Sequence, residues 1–305
     1  MFKRKDLLGL RDLTKEEIMC ILDTAKNMKV KIDNPLERDD SLKHTSMATL
    51  FYENSTRTRM SFALAGKYLG ATVADLGIAT SSVNKGESLI DTGITLDQMG
   101  IEVMIMRHNM TGAAHLLARN VKASVVNAGD GANEHPTQAL LDLFTIYENK
   151  KSFEGLKVAI IGDISHSRVA RSNVFGLTKL GAKVVLAGPS TLISGAMSKL
   201  GAEVTTDIKS AIQDADIVMG LRIQLERQKG GLFPDLREYS SLFGVNADML
   251  KYAKPDALVM HPGPVNRGVE LSTEVIDGNQ SVINVQVKNG VAVRMAVLKL
   301  LMEAR

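Results

Sequence analysis

The chain has 305 residues, 45% hydrophobic and 23% charged, and its 37 Lys and Arg against 34 Asp and Glu leave a formal charge of +3. This is the composition of an ordinary folded protein of about two domains. So mild a basic excess, with no tryptophan and 4% aromatic residues, excludes a nucleic-acid footprint and turns attention to local groups of cations. A single cysteine, Cys20, excludes an internal disulfide framework and a cysteine-built zinc cluster.

No apolar leader and no run of about 18 apolar residues is present, which predicts a cytoplasmic protein with no membrane partner. The first helix is announced by a capping box, Thr14 with Glu17, and by Leu13 and Ile18 at staple spacing. Ile18, Ile21, Leu22, Ala25 and Met28 recur along one of its faces, and Cys20 is expected on that face, in the core. SMATLFYE then reads as a strand, TRMSFALAGKYLG as a helix ending at Gly70, and ATVADLG and EVMIMRH as strands. Pro136 suits a first helical position, and Leu140, Leu143, Phe144 and Tyr147 follow on one stripe. A polar, lysine-bearing break spans Glu148 to Gly155. After it KVAIIGD reads as a buried strand, SRVARSNVFGLTKLG as a helix, and AKVVLAG, AEVTTD, DIVMGLR and ALVMHPG as strands. VAVRMAVLKLLMEA is a separate apolar helix. The alternation predicts an α/β fold of two domains, 1–149 and 150–288, each with a mainly parallel sheet flanked by helices, and a final helix over 289–305.

In sheets of this kind ligands collect where strands end and helices begin. FYENSTRTRMSF is such a junction. Ser55, Thr56, Arg57, Thr58 and Arg59 gather hydroxyls, guanidiniums and the free amides of a helix start, which suits a phosphate-like anion. A serine or threonine before a helix is more often only its cap; the two interleaved arginines raise the junction above that. Arg107 and His108 end the strand EVMIMRH. HPTQ sets His135 before a helix with Gln138 in its first turn, donors suited to polarising a carbonyl oxygen, although a lone histidine is more often a hydrogen-bonding core residue. Arg168 follows the strand that ends at Gly162, and Arg222 and Gln224 follow the strand in MGLRIQLER. Guanidiniums at two junctions suit a second anion, a carboxylate. The pattern at VAIIGD also invites a nicotinamide-dependent oxidoreductase, but Gly162 is followed by DISHSR, so the G-x-G-x-x-G turn is missing.

STRTR, SSVNKGES, MRH, HPTQ, GDISHSRVARS, LRIQLER and HPGPVNRG, in this order across nearly the whole chain, resemble the catalytic chains of aspartate carbamoyltransferases. The related ornithine carbamoyltransferases share S-x-R-T-R and HPxQ but typically carry HCLP where this chain has His261-Pro262-Gly263-Pro264. A transcarbamoylase for another amine acceptor, such as ornithine, is the alternative. The resemblance implies transfer of a carbamoyl group from carbamoyl phosphate to L-aspartate, in pyrimidine biosynthesis, with no cofactor and no metal. It implies a carbamoyl-phosphate domain, an aspartate domain and a C-terminal helix that packs back on the first, with closure of the domains when both substrates bind. By the same resemblance, Ser55, Thr56, Arg57 and Thr58 grip the phosphate, and Thr58, Arg107 and His135 hold the carbonyl oxygen. Gln138 and the backbone carbonyls around Gly263 and Pro264 hold the carbamoyl amino group, and Arg168, Arg222 and Gln224 hold the carboxylates of aspartate. Lys85 matches the loop lysine that enters a neighbouring subunit's site, with Ser81 or Ser82 as its companion. This implies a homotrimer with shared active sites and leaves open a regulatory subunit or an association with the next enzyme of the pathway. Asn54 stands where the motif usually has proline, a change that removes no ligand.

Overall fold

Helix α1 (Lys15–Asp33) begins where the capping pattern puts it: Thr14 Oγ1 accepts the Glu17 amide at 3.2 Å, and Glu17 Oε2 accepts the Thr14 amide at 2.8 Å. Ile18, Ile21, Leu22, Ala25 and Met28 are buried. Cys20, expected in the core, is only half-buried; it lies about 100° around the helix from Ile21, at the margin of the apolar stripe. The computed structural model describes residues 2–34, 39–77, 86–224 and 235–305. Lys85, Ser81 and Ser82 lie outside the described residues.

Two units are present, Met1–Leu141 with Lys288–Arg305, and Asp142–Val287. After α1 the first unit contains β1 (Ser46–Phe51), α2 (Thr56–Tyr68), β2 (Thr72–Leu76), α3 (Leu89–Gln98), β3 (Val103–His108), α4 (Ala113–Ala118) and β4 (Ser124–Asp130), followed by the start of α5 (Pro136–Lys150). Its four strands are parallel, in the order β2-β1-β3-β4. Leu7 lengthens the sheet at β4, its amide donating to Val125 O and its carbonyl accepting from Asn127, both at 2.9 Å. Ala48, Leu50, Met104, Met106, Val125 and Leu117 form part of the core between sheet and helices.

The second unit contains β5 (Lys157–Ile161), α6 (Arg168–Lys179), β6 (Lys183–Ala187), β7 (Glu203–Thr205), α7 (Ile208–Ile212), β8 (Ile217–Gly220), α8 (Leu236–Phe243), α9 (Ala247–Leu250), β9 (Leu258–Met260) and α10 (Thr273–Asp277), and α11 (Ile283–Glu303) starts in it. Its five strands are also parallel, in the order β7-β6-β5-β8-β9. Near-continuous apolar runs such as Val158–Ile161 and Ile217–Met219 fit strands covered on both faces, and all of these residues are buried. No helix among the described residues is long and apolar enough to cross a membrane.

The first division falls within α5, between Leu141 and Asp142, ahead of the polar stretch expected to hold it; the second, between Val287 and Lys288 in α11, lies one residue from the expected 288–289 boundary. In each sheet the chain leaves the first strand on one side and later returns on its other side. The order therefore reverses between β1 and β3 and between β5 and β8, which are the places such sheets offer to ligands.

Candidate active site

At the reversal in the first unit, Phe51 of β1 is in register with Arg107 of β3, and the Tyr52 amide donates to Arg107 O at 2.8 Å. This sets the STRTR junction beside Arg107. Ser55 occupies the N-cap of α2, but its side chain makes no capping bond. Thr56, Arg57 and Thr58 form the first turn, whose amides have no preceding turn to donate to; Arg57 is exposed and Thr58 is buried. A dipole-positive helix end with a guanidinium and hydroxyls has the chemistry to hold an anion. Arg59 points to other business: its Nη1 lies 3.4 Å from Asp75 Oδ2.

Arg107 donates from Nη2 to Glu53 Oε1 at 2.7 Å and from Nη1 to Ala128 O at 3.4 Å. A second strand carries the next group, because His108 of β3 is in register with Asp130 of β4. The His108 ring lies 4.7 Å from that of Tyr52, tilted by 43°, and accepts the Met110 amide at Nδ1, and burial holds its pKa below the ordinary value against the pull of Asp130 and Glu53. His135 precedes Pro136, and its carbonyl accepts the amides of Gln138 and Ala139 at 3.1 and 3.2 Å, so it stands at the cap of α5. Both His135 and Gln138 are buried. The phosphate-grip and carbonyl-donor candidates thus share the carboxyl ends of β1, β3 and β4.

In the second unit, Ile161 is in register with Gly220 and Met219 with Met260, so Gly162–Ser167, Leu221–Gln224 and His261–Pro264 leave neighbouring strand ends. Arg168 opens α6 and is buried, behind a Ser167 cap that accepts the Ala170 amide at 3.1 Å. Along the segment after β8, Leu221 and Ile223 are buried while Arg222 and Gln224 are half-exposed, the alternation of an extended chain. Gln224 Nε2 donates to His166 O at 3.3 Å. His261 accepts the Gly263 amide at Nδ1 at 2.9 Å and donates its own amide to Gln286 Oε1 at 2.9 Å, fixing the turn that carries Gly263 and Pro264.

Several supporting groups have no mark in the sequence. Asp130 Oδ1 accepts from Asn127 Nδ2 at 2.8 Å and from the Glu134 amide at 3.2 Å, and Glu134 Oε2 accepts the Leu10 amide at 2.7 Å, a buried network that holds the turn before His135. Asp142 accepts from Gln286 Nε2 at 2.7 Å and from Asn173 Nδ2 at 2.8 Å. Glu134 and Asp142 reach partners far along the chain, whereas Asp130 meets Asn127 and Glu134 only three and four residues away, in a turn of ordinary polar residues that no spacing rule singles out.

Two family models cover the chain: the carbamoyl-P binding domain of aspartate/ornithine carbamoyltransferase over residues 5–148 and the Asp/Orn binding domain over residues 154–301. The aspartate carbamoyltransferase catalytic subunit of Acetivibrio thermocellus is 65% identical over 99% of this chain and 96% of its own length. That of Ruminiclostridium cellulolyticum is 64% identical over 98% and 96%. Among solved structures, ornithine carbamoyltransferase from Pyrococcus furiosus matches with a TM-score of 0.87 at 32% identity, over 98% of this chain and 97% of that one. Aspartate transcarbamoylase from Trypanosoma cruzi, in complex with carbamoyl phosphate and aspartate, matches with a TM-score of 0.86 at 31% identity, over 98% and 95%. The backbone is therefore common to enzymes of both acceptors. The chain belongs to the aspartate/ornithine carbamoyltransferase family.

Proposed function

We propose that this chain is a transferase that moves the carbamoyl group of carbamoyl phosphate to the amine of L-aspartate, giving N-carbamoyl-L-aspartate and phosphate, a step of pyrimidine biosynthesis. The observation that carries this is the meeting of the Ser55–Thr58 helix start, Arg107 and His135 at one sheet end, in a chain with 65% identity to an aspartate carbamoyltransferase catalytic subunit. Carbamoyl phosphate is already an activated acyl donor. The amine attacks its carbonyl carbon, the C–O bond to phosphate breaks, and no enzyme nucleophile is needed. What remains for the protein is placement and charge: aligning two reactants can be worth about 7–11 kcal/mol of barrier, and each donor aimed at the developing oxyanion about 3–4 kcal/mol.

In this assignment Ser55, Thr56, Arg57 and Thr58 take the phosphate, which leaves as a stabilised dianion. Thr58, Arg107 and His135 donate to the carbonyl oxygen, and Gln138 with the carbonyls near Gly263 and Pro264 orients the carbamoyl amino group. Arg168, Arg222 and Gln224 take the acceptor's carboxylates, a cationic lining that suits aspartate and opposes the ammonium of ornithine. The departing phosphate is the acceptor for the amine's proton. Lys85, by the family resemblance, completes a neighbour's site, so the working form is a cytoplasmic homotrimer.

The test is carbamoyl transfer by the purified chain, with carbamoyl phosphate and either L-aspartate or L-ornithine, following carbamoylated product and released phosphate. Aspartate-dependent product is expected. Product with ornithine alone overturns the acceptor while leaving the phosphate site standing.

A further inference from the structure

Glu270 follows the Gly263–Pro264 turn by a few residues and is 2% exposed. Its carboxylate accepts three hydrogen bonds: Oε1 from the Ile223 amide at 3.0 Å and from Asn266 Nδ2 at 2.8 Å, and Oε2 from the Asn266 amide at 2.9 Å. Ile223 is the residue between Arg222 and Gln224. Its side chain is buried in a small cluster with Leu192 and Tyr239, so the segment is held by both a side chain and an amide, and the flanking Arg222 and Gln224 are turned to the other face.

A second support reaches the same segment from β5. Gln224 Nε2 donates to His166 O, and His166 is itself fixed by Asp163, whose Oδ1 meets the His166 amide at 3.2 Å and the ring Nδ1 at 2.8 Å. Filling space does not require a carboxylate at position 270. A buried charge is costly unless fully hydrogen-bonded, and burial pushes the Glu270 carboxyl above its ordinary value despite its three donors. Only a carboxylate accepts all three N–H groups without offering a donor of its own; a glutamine must turn an N–H towards one of them.

We infer that Glu270 is the positioning residue of the acceptor side, holding Arg222 and Gln224 through the Ile223 amide and tying them to the segment after Pro264. It does not touch substrate; its role rests on the assignment of Arg222 and Gln224 to the acceptor's carboxylates. The experiment compares the full-length chain with Glu270→Gln and Asn266→Ala, measuring kcat, the KM for each substrate and the melting temperature. Loss of one hydrogen bond to a charged group predicts a rise of about tenfold in the aspartate KM for Glu270→Gln. The KM for carbamoyl phosphate should stay within about twofold and the melting temperature within about 4 °C. Asn266→Ala should raise the aspartate KM in the same direction by less.

An unmoved aspartate KM in folded Glu270→Gln, or equal rises in both KM values, overturns the role. If Glu270→Gln does not fold, Asn266→Ala decides, and an unchanged aspartate KM there overturns it. The unmutated chain in the same assay separates two kinds of failure. No aspartate turnover there removes the acceptor assignment and the role of Glu270 with it, whereas normal turnover with an unmoved variant KM removes only the role of Glu270.

Discussion

Arg57 and Arg59 stand two positions apart in α2 and have different neighbours. Arg59 pairs with Asp75 of β2, which also accepts the Thr49 hydroxyl, and both members of the ion pair are half-exposed. Arg57 sits in the first turn, at the strand-order reversal. The repeated arginines in STRTR announce a cationic junction, but the sequence cannot divide the labour, because Asp75 belongs to another strand. Arg57→Ala should lower kcat about 10²–10³-fold, the scale of a lost oxyanion donor. Arg59→Ala should leave kcat within about twofold, because an exposed ion pair contributes little. Steady-state turnover measures both, and equal losses would contradict the division. A different residue sets an acid-sensitive contact. Burial alone would raise the pKa of Asp39, but hydrogen bonds from Lys31, at 2.5 Å, and from Ser41 outweigh it and bring the pKa from 3.8 to about 2. A depressed carboxylate contributes stability above its unfolded pKa and loses it as pH falls towards the folded value. Asp39→Asn should therefore cost about 1 kcal/mol at neutral pH, with the difference from the unmutated chain shrinking between pH 4 and 2 in denaturant titrations.

At the level of elements, β5 and β8 approach so closely at their carboxyl ends that position 162 admits only glycine. Gly162 has a φ of 139°, and a Cβ there would lie 2.6 Å from Leu221 O; on the other side, a Cβ at Gly188 would lie 2.5 Å from Gly162 O. Gly162→Ala combines a backbone conformation unfavourable to alanine with a steric clash, so a loss of about 2 kcal/mol or more is expected. Because Leu221 leads directly into Arg222, the same variant should raise the aspartate KM more than that for carbamoyl phosphate. Chemical denaturation and initial rates check the two effects, and a variant of unchanged stability would refute the steric account. The strands that open each sheet were legible because SMATLF and KVAII are short apolar runs closed by turn signals. β4 was not, although every residue of SVVNAGD is buried: its Asn127, Gly129 and Asp130 look like a turn, and only the Asp130–Asn127–Glu134 network explains why polar groups belong inside. Helices α3 and α4 escaped for a related reason, since LIDTGITLDQ carries a glycine and two threonines and AAHLLA is a single short stretch. Gly93 is there because a Cβ would lie 2.3 Å from Leu117 Cδ1, a packing requirement that helix propensity does not register.

For the whole molecule, two parallel-sheet units were readable from the alternation of strands and helices. The polar stretch after Tyr147 coincides with the gap between the two family models, which end at 148 and begin at 154, whereas α5 enters it only as far as Lys150 and the compact units divide earlier, between Leu141 and Asp142. Composition marks the exposed end of the helix, whereas the compact units follow which segments pack together. Assembly is a further step, and the proposed sharing of sites through Lys85 can be tested by mixing two variants. Lys85→Ala and Arg57→Ala chains should each be nearly inactive alone. If Lys85 serves a neighbour's site, a mixed trimer contains some interfaces where an intact Arg57 site meets an intact Lys85, and activity should reappear on mixing after dissociation and reassembly. If Lys85 served its own chain's site, every site in the mixture would carry one lesion or the other and no activity would return. Mass analysis that shows hybrid trimers must accompany the assay, because recovery depends on exchange having occurred. Verified hybrids without activity would leave the Arg57 cradle standing and confine each site to a single chain.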